Sequence, residues 1–347
     1  METPVIIDPN RIEKELSDLM AKASPAEARA SLLNLVVFTG EGRAEQANAL
    51  LESVLGRRAA RVIHITRGSA AESSVSVSAR CYLDAGKRSV CLQEVIIENG
   101  RDGAGADPST WAPMLVRDIP VSVVWLDRIV GTDFTPLLDV ADTVILDSEA
   151  SLRAGEPERE LFGALQTLGT SVTICDFSWR RVLPLCEITA ETFDTPILLE
   201  RVDEVDAVSL TGAPRAFALL YTGWFASRLG WQPARPRGIE TEHDSAEWLL
   251  ESASGRSIRV AHRKPAPLSS GAEVTIGFDG YDDLRVRLAS GGCAEVTDGC
   301  DETVRVLDLP NDGAILLAEI DGAHRDHIYA ETVARIDSFI KLRYVLS

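Results

Sequence analysis

No apolar run in this sequence approaches the 18 or more residues needed to cross a bilayer. The longest runs, LLNLVVF at 32–38 and VSVVWL at 121–126, are only of strand length. The opening METPVIIDPNRIEKELSD lacks the basic and apolar regions of a signal peptide, so the cytoplasm is the expected compartment. Positive charge is scarce. Thirty-five Lys and Arg stand against 53 Asp and Glu in 347 residues, a net charge of −18. That balance repels phosphate backbones and anionic lipid, so neither nucleic acid nor a membrane is an expected partner. The basic clusters Arg57-Arg58 and Arg180-Arg181 are too short to reverse it. Cysteine is sparse too, and six in a long chain without a leader read as reduced thiols, with transient redox pairing as the exception.

The motifs that usually announce an enzyme are also missing. There is no Walker loop, no H-E-x-x-H, no G-x-S-x-G and no paired C-x-x-C site. The nearest metal-like cluster, His324, Asp326, His327 and Glu331, lies where polar residues are ordinary at a helix start, so no metal is expected. Gly40-Glu41-Gly42 partly resembles a dinucleotide fingerprint, but Glu45 replaces the third glycine. Glu41 and Glu45 set negative charge where a pyrophosphate would sit, and the next strand has no acidic end. A plain turn is expected there, and no bound cofactor.

What is present is organised in two halves. Residues 1–195 alternate near-continuous apolar strands with amphipathic helices, which predicts a doubly wound, mostly parallel α/β (Rossmann-like) sheet. Residues 196–347 carry short strands separated by turn signals, closed by helices at Gly313–Ile320 and His324–Leu342. This predicts an α+β domain built on an antiparallel meander. A capping-box spacing at Ser24–Glu27 predicts a short helix in the first half. Ser74–Leu83 and Ser89–Glu98 read as strands around the loop at Asp84–Arg88. If that loop centres on Gly86, Cys81 lies opposite Cys91, close enough for a disulfide. Ordinary cysteine burial favours two small buried residues over a redox pair.

Two stretches stand out as candidate sites. Asp176-Phe177-Ser178-Trp179-Arg180-Arg181 follows a strand end, where open α/β sheets place ligands. Asp176, Trp179, Arg180 and Arg181 therefore form the candidate interaction surface, although Asp176 could equally cap the next helix while Trp179 packs. The second stretch, Thr211–Pro233, predicts a helix over 214–230 that bridges the two halves. Phe217, Leu220, Tyr221 and Trp224 make a single apolar stripe, with Gly230 as a left-handed cap. Arg228 falls within that stripe, so a buried or interdomain ion pair is expected. Trp224, Arg228 and Trp231 are read as structural.

Several stretches, in order along most of the chain, resemble the OpcA family of glucose-6-phosphate dehydrogenase assembly proteins. They are Asn34–Val37, Ser78–Cys81 with Val90-Cys91, Asp118–Val121, Ala141–Ser148, Asp176–Pro184 and, most specific, Gly223–Trp231. The resemblance implies a non-enzymatic partner of glucose-6-phosphate dehydrogenase, favouring its active oligomer in the oxidative pentose phosphate pathway. It also draws interest to thiol control through Cys81 and Cys91. The sequence departs from the family pattern at Leu185, where a tryptophan often stands, and in having a single cysteine at Cys91. The alternative reading is an enzyme or sensor binding a sugar phosphate or nucleotide in the α/β half.

Overall fold

A computed structural model describes residues 5–6, 8–23, 33–54, 57–67, 73–83, 89–99, 108–234, 245–263, 271–289, 292–322 and 324–343. The expected helix at Ser24–Glu27 and the loop at Asp84–Arg88 lie outside the described residues. The chain forms two compact units that interleave along the sequence instead of dividing at residue 195. One comprises Met1–Asp147, Leu168–Asp176 and Asn311–Arg325; the other comprises Ser148–Thr167, Phe177–Pro310 and Asp326–Ser347.

The first unit is built on an eight-stranded sheet. Its strands are β1 (Val5–Ile6), β2 (Leu33–Thr39), β3 (Ala60–Arg67), β4 (Ser74–Leu83), β5 (Ser89–Asn99), β6 (Val121–Leu126), β7 (Thr143–Leu146) and β8 (Thr173–Asp176). The order is β1-β4-β5-β3-β2-β6-β7-β8, and every pairing from β5 through to β8 is parallel. Taken in chain order, those parallel strands run 3-2-1-4-5-6, the doubly wound arrangement whose direction reverses between β2 and β6. All of β2 and β6 is buried, as their near-continuous apolar sequences require of strands covered on both faces. Helices α1 (Ile12–Ala23), α2 (Ala44–Val54) and the short α3 (Thr135–Leu138) belong here, joined by α9 (Asp312–Gly322) from far along the chain. Arg58 pairs with Asp321 of α9, and a Cβ on Gly313 would lie 2.5 Å from the Ser53 side chain. That close approach fixes α9 beside α2.

The second unit pairs another eight-stranded sheet with helices. Its strands are β9 (Val205–Thr211), β10 (Gln232–Pro233), β11 (Ser245–Glu251), β12 (Ser257–Arg263), β13 (Glu273–Phe278), β14 (Tyr281–Ala289), β15 (Cys293–Asp298) and β16 (Asp301–Val306). The order is β10-β11-β12-β9-β13-β14-β15-β16, antiparallel except where β9 meets β12. The helices are α4 (Ser148–Arg153), α5 (Glu158–Leu168, its last residue in the first unit), α6 (Phe177–Phe193), α7 (Pro196–Arg201), α8 (Arg215–Arg228) and α10 (His327–Arg343).

Helix α8 is the centre of this unit, and the expectation of one apolar stripe is corrected. Every residue from Ala216 to Ala226 is buried, because α4, α6 and α10 all pack on α8. A helix apolar all round suits that enclosed position. Gly230 takes φ +68, and Trp231 N–H donates to the Ala226 carbonyl at 2.9 Å, which closes the helix as a Schellman cap. Tyr221, fully enclosed, bonds its hydroxyl to Thr189 of α6 at 3.0 Å.

Gly223 sets the α8–α10 approach: a Cβ there would lie 2.8 Å from the Thr332 carbonyl oxygen and 2.5 Å from Ile336 Cγ1. Helix propensity alone makes Gly→Ala stabilising by about 1 kcal/mol. Overpacking against backbone costs about 1–3 kcal/mol, so Gly223→Ala is expected to lower the urea midpoint. A raised midpoint would show that the two helices are not in this contact.

Candidate functional site

In the segment after β8 Trp179 packs, as the alternative reading had it, and Asp176 and Trp179 do not form the candidate surface. Helix α6 begins directly at Phe177, and Asp176 and Trp179 are 1% and 2% exposed. Trp179 Nε1 donates to Asp326 Oδ2 at 2.9 Å, and its ring lies 6.0 Å from that of Tyr329. Asp326 Oδ1 in turn accepts from Tyr329 N–H at 2.9 Å, so the indole clamps the N-cap of α10. A tryptophan with a polar handle is satisfied in the interior this way, which the sequence pattern does not disclose. Only Arg180 and Arg181, both half-buried, retain access to solvent, with the Arg181 guanidinium 5.8 Å from the Phe177 ring centre.

A polar cluster that sequence reasoning missed surrounds the start of α8. Arg215 grips Glu158 with two bonds, Nε to Oε1 at 2.5 Å and Nη2 to Oε2 at 2.9 Å. Its guanidinium lies 4.7 Å from the Trp248 ring centre, and Nη1 is 3.2 Å from His262 Nδ1. His262 Nε2 is 3.0 Å from the Ala213 carbonyl, so the proton sits on Nε2 and Nδ1 accepts from Arg215. Burial, chiefly, holds the His262 pKa below the ordinary histidine value, and the neighbouring Arg215 adds to this. Glu149 Oε2 accepts from Ala216 N–H at 2.8 Å, a carboxylate supplied to the positive helix N-terminus from α4. Fork geometry, stacking and a neutral imidazole make this cluster a brace for α8. Its signal was the Pro214-Arg215 helix start, which offers no capping side chain of its own.

At the β2–β6 switch point, where doubly wound sheets place nucleotides, Asp127 lies beside the glycine that follows β2. A Cβ on Gly40 would lie 2.5 Å from Asp127 Oδ1, so this glycine backs directly onto the acid that follows β6. Asp127 Oδ2 accepts from Arg67 at 2.7 Å, and Oδ1 accepts from Arg128 N–H at 2.8 Å. Arg67, at the end of β3, thus ties that strand to Asp127 beyond β6. Deeper in the sheet, His64 Nε2 and Thr39 Oγ1 are 2.9 Å apart, and burial lowers the His64 pKa against an opposing pull from Glu94.

The cysteine pair departs from the favoured reading. Cys81 faces Cys91 in the β4–β5 register, as the loop position implied, and the two form a disulfide with Cα atoms 4.1 Å apart. Directly opposed antiparallel residues lie about 4.5–5.5 Å apart, so the register brings the two cysteines within bonding reach. Cys175 Sγ donates to Glu319 Oε2 at 2.7 Å within the first unit. Cys186 is buried, and desolvation pushes its thiol pKa well up.

Trp224 and Trp231 are buried around Phe225, with ring centres 5.7 and 5.1 Å from it. Arg228 is corrected in two respects. It turns out of the packed face, with its side chain 36% exposed, and its ion-pair partner Glu331 belongs to the same unit and is 59% exposed. Glu331 is thereby committed to Arg228, and among the described residues no group of three or more His, Cys, Asp and Glu is placed to hold a metal ion.

Family models described as the N-terminal and C-terminal domains of the glucose-6-phosphate dehydrogenase subunit match residues 51–166 and 172–333 respectively. The chain belongs to the OpcA family. Relatives named OxPP cycle protein OpcA include one from Synechococcus elongatus, 28% identical over 195 residues, covering 54% of this chain and 43% of that protein. Another, from Nostoc punctiforme, is 32% identical over 130 residues, covering 37% of this chain and 27% of that protein. A third, from Synechocystis sp., is 39% identical over 102 residues, covering 29% and 21%. The chain thus matches less than half the length of each of these OpcA relatives. Similar solved structures include a dehydrogenase (MviM) from Clostridium difficile, 10% identical with TM-score 0.48 over 90% of this chain and 98% of that one. KijD10, a 3-ketoreductase from Actinomadura kijaniata, is 11% identical with TM-score 0.47 over 88% and 95%. Likeness at this level does not bear on activity. The stretch Gly223–Trp231, within the matched C-terminal domain, is the second half of α8 together with its cap.

The two arginines of α8 are expected to differ in weight. Arg228→Ala should cost less than about 1 kcal/mol, as exposed pairs do. Arg215→Ala strands a half-buried carboxylate and should cost about 2 kcal/mol or more in urea unfolding. Equal costs would contradict the assignment. Lowered histidine pKa values also carry a pH signature. The unfolded chain protonates these imidazoles as pH falls through about 6.5, so their contribution is full above that value and is lost as pH falls toward the lower folded-state values. A His64→Gln/His262→Gln variant should show a shallower loss of stability between about pH 7 and pH 5; an unchanged slope would contradict this.

Proposed function

We propose that this protein is a non-catalytic partner of glucose-6-phosphate dehydrogenase that favours the enzyme's active oligomer. The observation that carries the reading is the pair of subunit-domain matches, which together take in most of the chain. The site chemistry supports it. At the switch point Asp127 and Arg67 satisfy each other, and the Arg215–Glu158–His262 cluster braces a helix, so neither arrangement presents an activated nucleophile. By linkage, such a partner must bind the active state of the dehydrogenase more tightly than the inactive one.

The cytoplasm is the compartment proposed, and among the described residues no helix is long and apolar enough to cross a membrane. Disulfides are rare in reducing compartments and there are mostly transient or sensing. The Cys81–Cys91 bond accordingly reads as a point of thiol control. Arg180 and Arg181 are proposed as part of the dehydrogenase-facing surface, since solvent reaches them while Asp176 and Trp179 are enclosed.

One observation favours a second reading: the 3-2-1-4-5-6 strand order is that of nucleotide-binding sheets, so a sugar phosphate or nucleotide could serve as an effector of the first unit. Assaying the cognate dehydrogenase with and without this protein distinguishes the two. The proposal expects a lowered KM for glucose 6-phosphate, a changed effect in Cys81→Ser or after reduction, and a weakened effect in Arg180→Glu/Arg181→Glu. Unchanged kinetics, together with a thermal shift by glucose 6-phosphate, NADP or ATP, would favour the effector reading instead.

A further inference from the structure

The two units present strand edges of very different kinds. The terminal strands β1 and β10 are two residues long, and β8 is mostly buried. The remaining edge, β16, spans Asp301–Val306 with every residue exposed, and Val304 and Val306 are 63% and 87% accessible. Natural edges are usually blunted by proline, lysine, a bulge or shortness. β16 has no proline, lysine or bulge, and its charges Asp301, Glu302 and Arg305 are of both signs; its register with β15 runs unbroken from Asp298↔Asp301 to Cys293↔Val306.

Backbone polarity along this strand follows from one bond. Leu307 N–H donates to the Gly292 carbonyl at 2.7 Å, so odd-numbered residues direct their peptide groups at β15. The groups of Glu302, Val304 and Val306 therefore point away from the sheet, unpaired by its own strands. We infer that β16 is a self-association edge, pairing antiparallel with β16 of a second copy to join the two eight-stranded sheets.

The strand's charges select this occupant and its register. A two-fold axis perpendicular to the sheet requires a residue to oppose itself, either Thr303 or Val304. With Thr303 on the axis, Asp301 opposes Arg305 of the second copy, and the same pair recurs on the other side. Glu302 and Val304 then exchange backbone bonds with Val304 and Glu302 of the second copy, using the outward-pointing groups. The two Val304 side chains become diagonal neighbours on the exposed face. With Val304 on the axis, Glu302 would oppose Val306 and Arg305 would oppose Thr303, which leaves every charge unmatched. The first register matches Asp301 with Arg305 twice and leaves only Glu302 without an opposite charge, so it is the better of the two.

The test is sedimentation equilibrium of the full chain up to about 100 μM, the range in which small interfaces associate. The wild type is expected to be a reversible dimer. Val304→Pro removes an outward N–H that β15 does not use, and is expected to be monomeric. Arg305→Asp sets aspartates against each other and should weaken the dimer at least roughly tenfold, with Asp301→Arg/Arg305→Asp restoring it. These charged side chains are exposed, so the swap remains decisive even if the proline variant misfolds. In a Cys300→Ser background, Thr303→Cys should form an intermolecular disulfide on mild oxidation and Glu302→Cys should not. A wild type monomeric throughout, a dimer indifferent to Val304→Pro and to the charge reversal, or loss of dehydrogenase binding in Val304→Pro without any self-association would each overturn the inference.

Discussion

The close contact between α8 and α10 at Gly223 is the constraint on which the second unit depends. Without a Cβ at that position, α8 can lie against the Thr332 carbonyl and Ile336, and α4 and α6 can close over its remaining sides. Enclosure leaves the residues from Ala216 to Ala226 mostly apolar, and Tyr221 bonds its hydroxyl to Thr189. Enclosure also requires that both helix ends be satisfied from outside the helix: Glu149 supplies the N-terminus and the Gly230 turn closes the C-terminus. The stretch Gly223–Trp231 is thus accounted for by packing and capping.

Acidic side chains do related work elsewhere. Asp127 holds Arg67 at the switch point, Asp326 holds both Trp179 and the start of α10, and Glu158 holds Arg215. Each of these carboxylates is bonded by a partner from the chain itself. Charge-assisted bonds of this kind are stronger than neutral ones.

Much of the fold was legible because it rests on short-range patterns. Near-continuous apolar runs at Leu33–Thr39 and Val121–Leu126 marked strands buried on both faces, and a hairpin pairing of Cys81 with Cys91 was open to the sequence. The Gly230 cap followed from its place after a helical pattern. What was not legible depends on partners distant in sequence. The burial of Trp179 is settled by Asp326, the enclosure of α8 by helices on several sides, and the place of α9 by α2. Arg228 was misplaced because the helical stripe it was assigned to does not exist once all sides of α8 are covered. The choice between thiols and disulfide at Cys81 and Cys91 turned on register, which the loop sequence left open by one residue.

A partner protein needs a stable scaffold, accessible surface and a preference between states of its target, and the first two are visible in this chain. The preference between states is the central claim, and sedimentation velocity of the cognate glucose-6-phosphate dehydrogenase mixed with this protein tests it most directly. The account predicts a new, faster boundary containing both proteins, with the dehydrogenase's own distribution moved toward its larger oligomer. Two independent boundaries at every mixing ratio, each unchanged from the separate proteins, would contradict it.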